Sequence, residues 1–338
     1  MEIKDVTSKN EWENFVQSHE EANFLQSWQW GEFHKERGKK ILRRGIYKKD
    51  KLIGVYTGQV ENARRGKRIE IAGGPIIDWD DNSVVSITTE DIKNQAKLAN
   101  AVFARIRPQL PYSKKAEKIF ENKGYKKAPM YLSVELAGVL DLNNSEEEIL
   151  KGMRQRLRRA LRKAAKNSIT VETSTNPSDI DTFYDIQLQT AKRHDFVAFN
   201  REFLKKQFKA FASEGQAVLY TAKYNDEILA QNFMIFYGNE ASYHYGVSTA
   251  LGTKLSGAPL LHMQAMKDAR DRGIKRYNFW GIVAENDTDH RFYGVSVFKR
   301  GFGVEELQYT PAYDLVIDSK KYAGTWLIET ARRKIRKV

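Results

Sequence analysis

The segment Lys151-Gly152-Met153-Arg154-Gln155-Arg156-Leu157-Arg158-Arg159-Ala160-Leu161-Arg162-Lys163-Ala164-Ala165-Lys166 carries eight basic residues and no acid. Met153, Leu157, Ala160, Leu161 and Ala164 return at helical spacing, so the segment is expected to form one helix with a packing stripe. Arg154, Arg158, Arg159, Arg162, Lys163 and Lys166 then fan over the remaining surface. A solvated helix face ordinarily mixes both signs, so a face of one sign points to phosphate. Nothing in the pattern reads bases, which leaves contacts with a nucleic-acid backbone. The whole chain leans the same way, with 56 Lys+Arg against 43 Asp+Glu and a formal net charge of +13 over 338 residues. Each neutralised phosphate releases counterions and strengthens binding; a merely solvated basic surface is the plainer alternative.

Other chemistries are excluded by residue type. The absence of cysteine removes thiol nucleophiles, disulfides and Cys-rich zinc sites, and fits a reducing compartment. No Walker A sequence, no Gly-x-Gly-x-x-Gly after a strand and no His-Glu-x-x-His occurs. His34, His194, His244, His262 and His290 lack metal-ligand spacing and read as structural or peripheral, so neither a metal nor a cofactor is expected. Gly301-Phe302-Gly303 has Phe298 where an acetyl-CoA pyrophosphate loop would carry Arg or Gln. Trp28, Trp30, Trp79 and Trp280 read mainly as core.

The elements that must position these residues alternate along the chain. Ser8 to Ser18 has helical spacing, and Ile41–Tyr47 with Lys51–Tyr56 flank a turn as a hairpin. Arg68–Ala72 reads as a strand, and Thr89 to Arg105 as a helix before a short strand closed by Pro108. Ser145 and Glu148 predict a capping box ahead of the basic segment. Ala217–Tyr224, the turn Asn225-Asp226 and Ile228–Ile235 repeat the hairpin layout. The strand Glu240–Tyr245, the helix Pro259–Asp271 and a buried strand Tyr277–Gly281 follow. Length favours two domains, and the two halves read as copies of one α/β unit with a mixed sheet. The charged N-terminus argues against a signal peptide, and no stretch is long and apolar enough to span a bilayer, so a cytoplasmic location is expected.

Five stretches carry a resemblance: Phe24-Leu25-Gln26-Ser27-Trp28-Gln29-Trp30-Gly31-Glu32-Phe33, Gly73-Gly74-Pro75-Ile76-Ile77-Asp78-Trp79, Val139-Leu140-Asp141-Leu142, Tyr277-Asn278-Phe279-Trp280-Gly281-Ile282 and Phe298-Lys299-Arg300-Gly301-Phe302-Gly303. In this order the chain resembles the Fem family of aminoacyl-tRNA-dependent peptidoglycan transferases over nearly its whole length. The resemblance implies two tandem acetyltransferase-like (GNAT-like) units, here residues 1–136 with 309–338 and residues 137–308, in the compact form without a helical arm. It implies a cleft between or within the units for the acceptor peptide and the acyl end of the tRNA. The partners it implies are an aminoacyl-tRNA and a peptidoglycan precursor, UDP-MurNAc-pentapeptide or lipid II, with peripheral contact at the inner face of a membrane; a monomer is expected.

The resemblance also distributes roles. The family's phosphate-binding lysine falls at His34, and the adjacent Lys35 takes the role; Arg193 and Arg201 compete for a second phosphate contact. Tyr243 and Tyr245 match the tyrosine-bearing strand of the acceptor site, and Phe298 with Lys299 matches the place used for transfer. An aminoacyl ester is already activated, so attack by an amine needs neither ATP nor metal. A lysine-type amine, with a pKa of about 10.4, must lose a proton, and a cation such as Lys299 beside the tetrahedral oxyanion would lower the barrier. Asp314 and Glu285 are the carboxylates open as bases, with substrate or water as alternatives. Two other classes compete: a transferase of the same fold acting on a protein N-terminus or a small-molecule amine, and a noncatalytic RNA-binding protein.

Overall fold

A computed structural model describes residues 1–63, 66–194 and 197–336, the side chains of residues 193, 194 and 336 excepted. It divides into two compact units, Met1–Ala137 with Val283–Tyr293 and Leu307–Val338, and Gly138–Ile282 with Gly294–Glu306. Residues 283–293, which the sequence reading ran on with the second half, group with the first unit.

Each unit is built on a mixed seven-stranded sheet. The first runs Glu2–Asp5, Lys40–Lys48, Lys51–Ala63, Gly66–Gly73, Ala101–Pro108, Tyr313–Val316, Lys126–Lys127. The second, read from its opposite edge, runs Thr170–Ser174, Ala217–Tyr224, Glu227–Tyr237, Glu240–Ser248, Arg276–Gly281, Leu136–Asp141, Glu305–Gln308. In both, the fourth and fifth strands pair in parallel and the preceding neighbours pair antiparallel. The halves are therefore two copies of one mixed α/β layout.

Local chemistry accounts for much of this. Both long hairpins close on two residues at positive φ, Lys49 and Asp50 in one and Asn225 and Asp226 in the other, the geometry whose twist suits antiparallel strands. Ser145 and Glu148 form the reciprocal capping box. The stretches Phe24–Phe33 and Gly73–Trp79 lock each other: Gln26 donates to the carbonyls of Ala72 at 2.8 Å and Thr57 at 3.2 Å, and Asn23 donates to that of Gly73 at 2.9 Å. A Cβ at Gly73 or Gly74 would strike these two side chains.

Three readings change. The helix expected over 89–105 is Asn82–Leu98, and Ala101–Pro108 is a strand buried at every position. A strand covered on both faces shows no alternation, so periodicity could not separate it from the helix before it. The single basic helix splits: Glu146–Gly152 ends, Met153 is extended, and a new helix runs Gln155–Lys166. Gly303, at φ +80, packs against the Gly152 backbone at that break. The helices Tyr293–Arg300 and Ser319–Arg336 had no counterpart in the sequence reading.

Candidate active site

Lys299 lies in the last turn of the helix Tyr293–Arg300 and is only 6% exposed. Its ammonium donates to the Gly281 carbonyl at 2.7 Å, at the end of the strand Arg276–Gly281, and sits 5.5 Å from the centroid of the Tyr243 ring. Among the described residues no carboxylate pairs with it. Burial, which disfavours the charged form, pushes Lys299 down to about 7. Gly281 follows Trp280, a non-glycine residue at φ +63, whose N–H donates to Asn278 Oδ1 at 2.7 Å. Left-handed backbone at a tryptophan is uncommon and is held here beside the carbonyl that accepts from the lysine.

The floor is aromatic. His262 is fully buried, shares a 2.7 Å hydrogen bond through Nδ1 with the Tyr277 hydroxyl, and packs its ring 4.5 Å from Tyr243 and 5.7 Å from Phe298. Burial and the Lys299 charge lower its pKa to about 3, so it stays neutral. Phe298 is half-buried against Phe302 and His262.

Tyr243 and Tyr245 do not share a surface. Tyr245 registers with Phe233 and Tyr243 with Met234, so His244 is the extra residue of a bulge, and the parity of the strand changes across it. Tyr243 faces Lys299, whereas Tyr245 packs on Phe199 and Phe233. The Tyr243 phenol lies over Gly246, where any Cβ would occupy the space of its hydroxyl. Gly246→Ala should therefore evict the Tyr243 ring and cut kcat/KM about tenfold with little change in melting temperature; wild-type turnover would show that Tyr243 needs no fixed position.

The basic helix packs Leu157, Leu161 and Ala164 inward, with Met153 buried at the break before it, and Arg154 at its cap and Arg159, Arg162, Lys163 and Lys166 along it are exposed. Arg158 behaves differently. It is half-buried and donates to the carbonyls of Lys151 and Met153, both at 2.9 Å, so it satisfies the open end of the preceding helix. The backbone N–H of Arg154 donates to the Gly301 carbonyl at 2.8 Å, which ties the start of the basic helix to the residues just after Lys299.

The phosphate candidates are scattered. Lys35 is exposed, 4.0 Å from Glu32, and belongs to the first unit. His34 turns inward: Arg37 donates to its Nδ1 at 3.1 Å, so the ring hydrogen sits on Nε2. Burial, then Arg37 and Lys39, lower its pKa to about 3, which leaves it no charge to offer an anion. It lines a cavity of about 70 Å³ with Trp30, Thr57, Gln59 and Glu70. Arg201 is held by Asp185 at 2.9 Å and Asp181 at 3.3 Å. Arg193 lies in the last turn of the helix Ile180–His194, and its side chain lies outside the described residues. Asp314 is fully buried and accepts from Arg105 Nε at 2.7 Å and Nη2 at 2.8 Å, a structural pair rather than an open base; Glu285 is exposed.

Sequence reasoning read His262 and Tyr277 as structural and gave no part to Gly246 or the Gly281 carbonyl. A carbonyl has no side-chain signature, and the others are ordinary core types until the fold gathers them.

Residues 7–139 match the FemAB family model, and residues 151–300 match that of the acetyltransferase (GNAT) domain. The chain is 22% identical over 416 aligned positions to the Lipid II:glycine glycyltransferase of Staphylococcus haemolyticus (strain JCSC1435), covering all of this chain and 97% of that one. The enzyme of the same description from Staphylococcus aureus (strain USA300) matches equally. Among solved structures, FemX superposes with a TM-score of 0.86 at 20% identity over 97% of this chain and 100% of that one. A tandem GNAT protein from the clavulanic acid biosynthesis pathway gives 0.56 at 10% identity over 93% and 98%. The fold is that of tandem GNAT-like units.

Proposed function

We propose that this chain, which belongs to the FemAB family, is a transferase that moves an amino acid from an aminoacyl-tRNA to the side-chain amine of a peptidoglycan precursor, UDP-linked or lipid-linked, in building cell-wall cross-bridges. The observation that carries the reading is Lys299, a buried lysine brought near neutral pKa beside Tyr243 and a strand end. The relatives' acceptor, lipid II, and the single-signed helix Gln155–Lys166 support the acceptor and the donor respectively.

Lys299 acts through its titration. The acceptor ammonium loses one proton to solvent, and the free amine attacks the ester carbonyl carbon. As the C–N bond forms, neutral Lys299 takes the second proton, so its charge appears in step with the oxyanion it faces. Collapse re-forms the carbonyl and breaks the C–O bond to the terminal ribose, whose oxygen receives the proton back from Lys299. Holding a bare buried ammonium beforehand is avoided.

Two measurements test this. Mass spectrometry of each precursor form after incubation with mixed charged tRNAs should show addition of one or more amino-acid residues; no gain on either form overturns the acceptor. The rise of kcat/KM with pH should bend near 7, from about hundredfold to about tenfold per pH unit, because both the lysine and the amine must be neutral. A level profile above 7 would mean that Lys299 works already charged.

A further inference from the structure

Helices on a folded unit ordinarily turn their apolar stripe inward. The helix Ser319–Arg336 does the reverse. Its inward positions are Tyr322, Thr325 and Glu329, each under a tenth exposed. They are held by polar bonds: the Tyr322 hydroxyl donates to Asp314 at 2.8 Å, and Arg105 donates to Glu329 at 2.8 Å. Tyr322 also packs edge-on against Phe103 at 5.4 Å. The orientation is thus fixed by a buried ionic network that a rotated helix would break.

The outward face carries Leu327 at 63% exposure, Ile328 at 43% and Ile335 at 81%, with the small residues Ala323, Gly324 and Ala331 between them and Trp326 at the edge. At 100° per residue, Leu327, Ile328, Ala331 and Ile335 form one stripe. The exposed charges on this helix are Lys320, Lys321, Arg332, Arg333 and Lys334, and its one described acid, Glu329, is turned inward. At the same spacing Lys320 and Lys334 lie on the line of the stripe at its two ends, Lys321, paired with Asp318 at 3.2 Å, and Arg332 lie along one side, and Arg333 lies beyond Trp326 on the other, the composition of a helix that lies in a lipid interface.

We propose that the outward face of the helix Ser319–Arg336 docks on an anionic lipid surface, with Leu327, Ile328 and Ile335 entering the headgroup boundary and the flanking lysines and arginines meeting the lipid phosphates. Self-association through this face would set Lys320, Arg332 and Lys334 against their own copies, which like-charge repulsion opposes. The assignment does not rest on the transfer reading, since no substrate enters it.

The test uses the full chain without acceptor or tRNA, sedimented with vesicles of phosphatidylglycerol and phosphatidylcholine or of phosphatidylcholine alone. The wild type should partition to the mixed vesicles. The double variant Leu327→Ser/Ile328→Ser should bind them about tenfold or more weakly, because the lost area is apolar and no charge has changed. Lys320→Gln/Lys334→Gln should flatten the dependence on phosphatidylglycerol content. These side chains are exposed, and unchanged melting temperatures would show that both variants fold. Absence of vesicle binding by the wild type, equal binding by the serine variant, or a dimer that this variant dissolves would each overturn the proposal.

Discussion

Lys299→Met is expected to lose transfer by about a thousandfold or more while becoming more stable than the wild type at pH 6. The first effect follows from removing the group that carries both the proton and the charge facing the oxyanion, each worth about a hundredfold or more. The second follows from burial. A lysine lowered from 10.5 to about 7 costs up to about 5 kcal/mol when it must be charged inside the fold. The sign is set by linkage. Below about 7 the group is protonated in both folded and unfolded chains, and the folded state bears the full cost. Between about 7 and 10.5 the unfolded chain holds the proton more tightly than the folded one, so the wild type gains stability as pH rises. Loss of the Gly281 hydrogen bond offsets part of the gain, leaving about 2–4 kcal/mol at pH 6 that fades toward pH 10. Denaturant unfolding of both proteins at pH 6, 8 and 9.5 measures it. A variant no more stable at pH 6 would show that Lys299 is not desolvated, and wild-type turnover would remove it from the chemistry.

The Arg159→Ser/Arg162→Ser/Lys163→Ser variant is expected to bind charged tRNA about 30–100-fold more weakly at low salt, with the slope of log K against log salt reduced by about 2. All three side chains are exposed, and the packing stripe beneath them is untouched. Arg158 is left in place because its bonds to the Lys151 and Met153 carbonyls give it a structural duty. Changing it would confuse loss of fold with loss of binding. Filter binding across a salt series reads both quantities, and an unchanged slope would take this helix out of the tRNA contact.

Much of the layout was legible in the residues because its causes are local. The hairpin turns depend on two residues each, the capping box on Ser145 and Glu148, and the buried stripe of the basic helix on a repeat of three and four. Where the cause was not local, the reading failed. Ala101–Pro108 could not be told from helix because both of its faces are covered by distant chain. Tyr243 and Tyr245 were taken together because the resemblance places both on one tyrosine-bearing strand, and the bulge at His244 turns them to different faces. His34 occupies the position at which a cation was expected, yet whether it is charged depends on its own burial and then on Arg37 and Lys39.

The sequence by itself determined the two hairpins, the duplicated α/β plan, the single-signed basic segment and the family resemblance, since each is written in spacings of a few residues. Only the tertiary structure decided what Lys299 is chemically. Its pKa is set by the surfaces that exclude water around it, and its ammonium is held by a carbonyl eighteen residues away. It also decided that the helix Ser319–Arg336 faces its apolar stripe outward, because an ion-pair network from remote strands claims the other side. Charge and exposure are properties of an environment, and that environment exists only once distant segments have packed.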